Sequence, residues 1–351
     1  MALTTEQLKF YSWMSQASYL DFQGTGSLQA QLISSQINQD KIFASEQANT
    51  FTAPAISYSF ISHAPNDSSG FSATVFKSNA DGSYTIAVRG TEPGLFSGFF
   101  SDLLNADVIG VALEGAAYEQ AISADRYYKQ LTAGTGKSVS YSQAELNMLS
   151  DMYITAYGLP VVSPGTELDT FLTTIQQDVG IADVPTDAPV NFTGHSLGGH
   201  VATLLAAMVN QCGSGVIGDV ATYNAPGMGG IFNLADVSLD VQAISGHITN
   251  LIGEGGMTVT PNVGTTSGQT DLLFIETASI NPVDDHSIVK LSDFLAVYDL
   301  FAKVAPGLDT DPNGLATITG ILEASSSTAS NSLESAVSAN DDFHAAKRLA
   351  A

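Results

Sequence analysis

The stretch Pro189-Val190-Asn191-Phe192-Thr193-Gly194-His195-Ser196-Leu197-Gly198-Gly199-His200-Val201-Ala202-Thr203-Leu204-Leu205-Ala206-Ala207-Met208 decides the fold. It opens on a short apolar run of the kind that forms a buried strand. It closes on an Ala- and Leu-rich run that forms a helix. Between them stands Gly194-His195-Ser196-Leu197-Gly198. A Gly-X-Ser-X-Gly segment that joins a strand directly to a helix puts its serine on a sharp, strained turn. Small residues at 194 and 198 let neighbouring backbone pass closely, and the hydroxyl is held out at the carboxyl edge of the sheet. The dipole of the following helix stabilises negative charge that develops there. Five residues alone could be a plain glycine-rich turn, but the strand before them and the helix after them argue for the nucleophile reading.

Outward from this unit, Val216 to Asn224, His247 to Ile252 and Leu272 to Thr277 read as further buried strands, and Ile288 to Val304 as a helix. Upstream, Phe71 to Lys77 alternates as a strand, Asn79-Ala80-Asp81-Gly82 is a turn, and Tyr84 to Arg89 is a second strand. Helical spacing marks residues 4–20 behind an N-cap at Thr4 or Thr5, and then 114–131, Gln143 to Tyr153 and 166–179. Residues 24–70, rich in Ser, Gln, Asn and Gly, read as loops with short elements. Strands alternating with helices predict an α/β fold, a mainly parallel sheet with helices on both faces. The expected division is a catalytic domain over 1–305 and a peripheral C-terminal tail over 306–351. Residues 132–165, broken by Gly and Pro, are read as a lid insertion or a surface excursion.

The chain has 351 residues, 44% hydrophobic and only 13% charged, enough to build a large core. Its net charge is −24, from 35 acidic and 11 basic residues. That balance excludes nucleic acid and electrostatic docking on anionic membranes as partners. No apolar run reaches the ~18 residues of a membrane span, so stable membrane insertion is not expected. No basic region followed by an apolar one marks a cleavable signal, which leaves cytoplasmic and Sec-independent secreted locations open. The lone Cys212 has no partner for an intramolecular disulfide and reads as a small apolar residue ending a helix. Asp309-Thr310-Asp311-Pro312-Asn313-Gly314 begins like a calcium loop, but Gly320 stands where such a loop needs a bidentate Glu. An acidic turn is the default there, and no cofactor or metal is required.

Gly194 to His200 with its Ala/Leu helix resembles the lipase class 3 (fungal-lipase-like) family, in a bacterial branch. Ile86-Ala87-Val88-Arg89-Gly90-Thr91 resembles that family's strand ending in Arg-Gly-Thr or Arg-Gly-Ser, and Ser101-Asp102-Leu103 the Asp-Leu that follows it. Thr222-Tyr223-Asn224-Ala225-Pro226-Gly227 resembles the Gly-X-Pro segment after the next strand. The Gly/Asp calcium repeats of the related secreted bacterial lipases are absent. The resemblance implies an α/β-hydrolase fold and a carboxylic ester hydrolase, a lipase or esterase acting on small-molecule or lipid esters. It is compatible with transient contact at a lipid interface. A phospholipase A and a catalytically silent binding module on the same fold stay open as alternatives.

For acyl transfer, Ser196 is the expected nucleophile, and the amide of Leu197 one oxyanion donor, each such donor contributing about 3–4 kcal/mol. The resemblance gives the second donor to Thr91. The chain order serine, acid, histidine leaves His286, in the loop after the last strand, as the base. His63, His195, His200, His247 and His344 are placed wrongly for that task. The acid should follow the strand His247 to Ile252, where Glu254 stands; the family usually has Asp there, and Asp271, Asp284 and Asp285 are rivals. Leu95, Phe96, Phe99 and Phe100, just past Thr91, are expected either to line an acyl-chain site or to pack under a loop.

Overall fold

A computed structural model describes residues 3–22, 26–35, 38–54, 58–90, 106–157, 166–228, 239–254, 264–275 and 286–327. Three helices come first: α1 (Thr5–Ala17), α2 (Leu28–Ile33) and α3 (Ser45–Phe51). Then follow β1 (Tyr58–Ala64), β2 (Ala73–Ser78), β3 (Tyr84–Val88), α4 (Ala106–Thr132), α5 (Gln143–Tyr157) and α6 (Glu167–Ile175). The second half runs β4 (Pro189–His195), α7 (Leu197–Cys212), β5 (Val216–Tyr223), β6 (Ile248–Glu254), β7 (Gln269–Phe274), α8 (Ile288–Val304), α9 (Gly307–Thr310) and α10 (Gly314–Ser327).

The strands form one sheet in the order β1-β2-β3-β4-β5-β6-β7. The first two pairings are antiparallel, and β3 to β7 run parallel. The expected α/β architecture is therefore the observed one. Both faces are covered, as parallel strands require. On one face Val88, Phe192, Val201, Leu205, Val220 and Tyr128 join the sheet to α4 and α7. On the other, Leu8, Met14, Tyr223, Leu251, Leu295 and Tyr298 join it to α1 and α8. α10 packs along β7, where Thr319 and Tyr298 share a hydroxyl hydrogen bond of 2.7 Å.

α1 is fixed at both ends and along its length. Thr4 and Gln7 form a capping box. Asp309 Oδ1, from the acidic turn, accepts from the Thr5 amide at 2.8 Å and its hydroxyl at 2.9 Å. Lys9 makes a buried ion pair with Asp299 of α8. These bonds set where the C-terminal end of α1, and Tyr19 just beyond it, meets the sheet.

Two strands differ from their sequence expectation for physical reasons. β1 is half-buried throughout and slips register between Phe60 and Ser62, so it lacks the alternation that marks a strand. β7 starts three residues earlier than expected, because Gln269, Thr270 and Asp271 pair with Thr249, Asn250 and Leu251. Those polar residues carry no apolar signal. Among the described residues, no helix is long and apolar enough to cross a membrane, and no three His, Cys, Asp or Glu side chains gather as a metal site.

Candidate active site

β4 ends at His195 and α7 begins at Leu197, so Ser196 alone makes the turn. Its φ is 56° and ψ −134°, a region L-residues other than glycine avoid. Such strain costs about 1–3 kcal/mol and persists only where the surroundings impose it. Here the Ser196 amide donates to the Tyr223 carbonyl at 2.8 Å, and its carbonyl accepts from Gly199 at 3.0 Å. A serine at a helix N-cap ordinarily turns its hydroxyl onto the first-turn amides. Ser196 occupies the N-cap of α7 and makes no such bond. The strained backbone thus keeps the hydroxyl off the amides and leaves them to other acceptors. Leu197 opens α7, where amides lack an intrahelical acceptor.

Close backbone passage explains the motif's second glycine. A Cβ on Gly198 would lie 2.4 Å from the Val88 carbonyl oxygen and 2.6 Å from the Gly90 nitrogen. The end of β3 therefore lies directly against the start of α7. Gly90 is equally confined, since a Cβ there would be 2.4 Å from both the His195 carbonyl and the Tyr19 hydroxyl. Gly90, the residue before Thr91, therefore lies beside the elbow. Thr91, Leu95, Phe96, Phe99 and Phe100 themselves lie outside the described residues, as do Ser101, Asp102 and Leu103. Arg89 is buried and donates to Asn66, a structural fastening of the strand end.

His286 immediately precedes the N-cap of α8. Its ring centroid lies 4.7 Å from that of His195, the residue bonded to Ser196. Burial pushes the His286 pKa down to about 4, with the Lys41 charge adding to the shift. The imidazole is neutral at pH 7 and can accept a proton. His195 is also pushed well down, first by burial and then by His286. Its Nε2 meets the His286 carbonyl at 2.6 Å and its Nδ1 the Tyr19 hydroxyl at 2.8 Å. His200 is buried in α7 against the Pro226 carbonyl, His63 bonds Thr74, and His247 bonds the Gly218 carbonyl at the opposite end of the sheet.

Among the candidate acids, Glu254 is the last residue of β6, two strands from β4. Asn224, with a φ of 47°, accepts from the Gly253 amide through its side-chain oxygen at 2.9 Å, and its own amide donates to Leu251 at 2.8 Å. This buried asparagine, whose role the sequence reading missed, fastens the end of β5 to the backbone just before Glu254. Its only sequence signal is an asparagine at a strand end, a type that tolerates positive φ. Asp271 sits in β7 opposite Leu251, three strands or about 14 Å from β4, and accepts from Gln269. Asp284 and Asp285 lie outside the described residues.

A mainly parallel sheet flanked by helices, with a strained serine between its central strand and the following helix, is the arrangement of an α/β-hydrolase fold. Residues 129–232, which contain the elbow, match the family model Lipase (class 3). That match spans under a third of the chain. The similar solved structures include the Lip2 lipase of Yarrowia lipolytica, with 14% identity over 78% of this chain and 79% of that one at a TM-score of 0.37. The native propeptide complex of Rhizomucor miehei lipase has 16% identity over 82% and 80% at 0.36. A triacylglycerol lipase described as having a serine protease triad has 16% over 79% and 83% at 0.35. The strand order and the elbow carry the fold. No curated protein sequence matches the chain.

Proposed function

We propose that the protein hydrolyses carboxylic esters with apolar acyl chains, lipid esters among them, through an acyl-enzyme on Ser196. His286 takes the hydroxyl proton as Ser196 Oγ bonds to the substrate carbonyl carbon. The carbonyl oxygen becomes an oxyanion facing the amides of Leu197 and Thr91. Collapse expels the alcohol, which receives the proton from His286 and leaves the acyl group on Ser196. Water then attacks that ester, giving its proton to His286, and the carboxylic acid departs as the proton returns to Ser196.

Glu254 is the proposed acid holding His286 in one tautomer. A carboxylate there would also offset the burial that depresses the base. The position of Glu254 at the end of β6, behind a backbone fixed by Asn224, supports it over Asp271. Leu95, Phe96, Phe99 and Phe100 are proposed to contact the acyl chain.

The observation that carries the reading is the serine with φ 56° whose hydroxyl caps nothing. The test is a fluorophosphonate probe on the folded protein, followed by p-nitrophenyl esters of increasing chain length beside a triglyceride emulsion and phospholipid vesicles. Labelling confined to Ser196 and lost in Ser196→Ala is the expected result. A folded chain that the probe leaves untouched would instead be a silent binding module, and turnover of vesicles alone would make it a phospholipase.

A further inference from the structure

His195 occupies the variable position inside the elbow, where its side chain has no part in the proposed chemistry. Yet both ring nitrogens are engaged, and their roles are fixed by their partners. The His286 carbonyl can only accept, so the hydrogen of the neutral His195 ring sits on Nε2. Nδ1 then accepts, and Tyr19 donates its hydroxyl hydrogen to it. The bonds therefore run one way, from the Tyr19 hydroxyl through the His195 ring to the His286 carbonyl.

The location of this relay is as informative as its direction. One end is the backbone of the proposed base, and the middle is covalently bonded to the proposed nucleophile. The other end, the Tyr19 hydroxyl, lies against Gly90 at the start of the proposed oxyanion loop. Tyr19 is itself held from behind, because the Asn38 side-chain amide donates to its carbonyl at 2.7 Å. A leucine of similar bulk could fill the same space. It could not bind a carbonyl 91 residues away at 2.6 Å.

We propose that His195 is a positioning residue: its Nε2–H, oriented by the Tyr19 hydroxyl, holds the His286 backbone so that the base ring meets Ser196 Oγ. The proposal rests on the reading of Ser196 and His286 as nucleophile and base. Small displacements of reacting groups cost large factors in rate, about 100-fold for an ångström. The relay acts on the base through its backbone, so the loss falls on kcat rather than KM.

The experiment compares His195→Phe, His195→Gln and Tyr19→Phe for kcat and KM on a p-nitrophenyl ester, with thermal melts beside them. Phe keeps ring bulk without a donor, whereas the Gln amide places a donor where Nε2 stood. His195→Phe should lower kcat about 100-fold with KM unchanged. His195→Gln should recover most of that loss. Tyr19→Phe, which leaves the imidazole in place and removes only its orienting donor, should lower kcat about tenfold. It keeps the proposal testable even where His195→Phe does not fold. Wild-type kcat in the folded variants, a loss confined to KM, or a Gln variant as impaired as the Phe variant would each overturn it. Full activity in Ser196→Ala would instead strike the underlying reading, so the two failures are told apart.

Discussion

The elbow and the packing of α4 against α5 both bury ionisable groups, with opposite results. At the elbow, burial pushes His200 and His286 down to about 4 and His195 well below its ordinary value, so three imidazoles stay neutral. Between α4 and α5, burial and the Glu145 charge push Asp125 up to about 7, against a smaller opposing effect of Lys129. Oδ2 of Asp125 finds no hydrogen-bond partner among the described residues, while Glu145 is paired with Lys129 at 2.8 Å. A perturbed carboxyl is thus not by itself a site. Asp125 lies within a regular helix, whereas Ser196 has the positive φ of a strained turn. The elbow combines its neutral imidazoles with a strained serine whose side chain makes no N-cap bond.

The largest expected effect breaks the comparison if it fails. Ser196→Ala should lower turnover on the order of 10⁶-fold, as in other serine triads, while Asp125→Asn leaves turnover within a few-fold of wild type. Next in size is the acid. Glu254→Gln should lower kcat by roughly 10⁴-fold, since an amide in that place favours the wrong histidine tautomer. Asp284→Asn and Asp285→Asn, run alongside, should be nearly silent. A silent Glu254→Gln with a crippled neighbour would move the acid to that neighbour.

The third prediction concerns stability and pH. Asp125 has a folded pKa raised from 3.8 to about 7, so the folded state binds more protons than the unfolded one between those values. Its contribution is therefore fully present below about 3.8 and is lost as pH rises through about 7. Asp125→Asn should be more stable than wild type at pH 8, on the order of 4 kcal/mol by the full shift, with the gap closing toward pH 4. The buried histidines act the other way. Their folded pKa values lie below 6.5, so their stability is lost as pH falls from about 6.5 to about 4. Urea melts of both proteins from pH 4 to 8 would show the Asn variant gaining the steeper rise with pH. Parallel curves would refute the shift.

How far the sequence reveals all this depends on the range of each signal. The elbow, the hairpin of β2 and β3, and the helix Ile288–Val304 rest on local patterns, and the structure places them as read. Even the burial of Asp125 is implied locally, because it shares helical spacing with Tyr118, Ile122 and Tyr128. The relay from Tyr19 to His195 to His286 joins residues 176 and 91 positions apart, and no periodicity encodes such a contact. Likewise Asn224 reads as an ordinary strand end until β6 is seen beside it. The acid and the acyl-chain residues depend on loop geometry, which depends least on local pattern.

The smallest effect tests the elbow's packing rather than its chemistry. Gly198→Ala places a methyl 2.4 Å from one backbone oxygen and 2.6 Å from a backbone nitrogen, both in the strand end that leads to Gly90. Neither atom can swing aside as a side chain would, so α7 and the end of β3 must separate. Such overpacking costs about 1–3 kcal/mol, partly offset by the helix propensity of alanine. Gly320→Ala, inside α10, supplies the control: its Cβ meets nothing within 4 Å, and it should stabilise by about 0.5–1 kcal/mol. Because the separation also moves Gly90, and with it the start of the proposed oxyanion loop, Gly198→Ala should lower kcat more than its melting temperature alone explains. Gly320→Ala should leave kcat untouched. If both variants were equally active, the contact between β3 and α7 would be packing only, and the elbow would owe its geometry to β4, β5 and α7 alone.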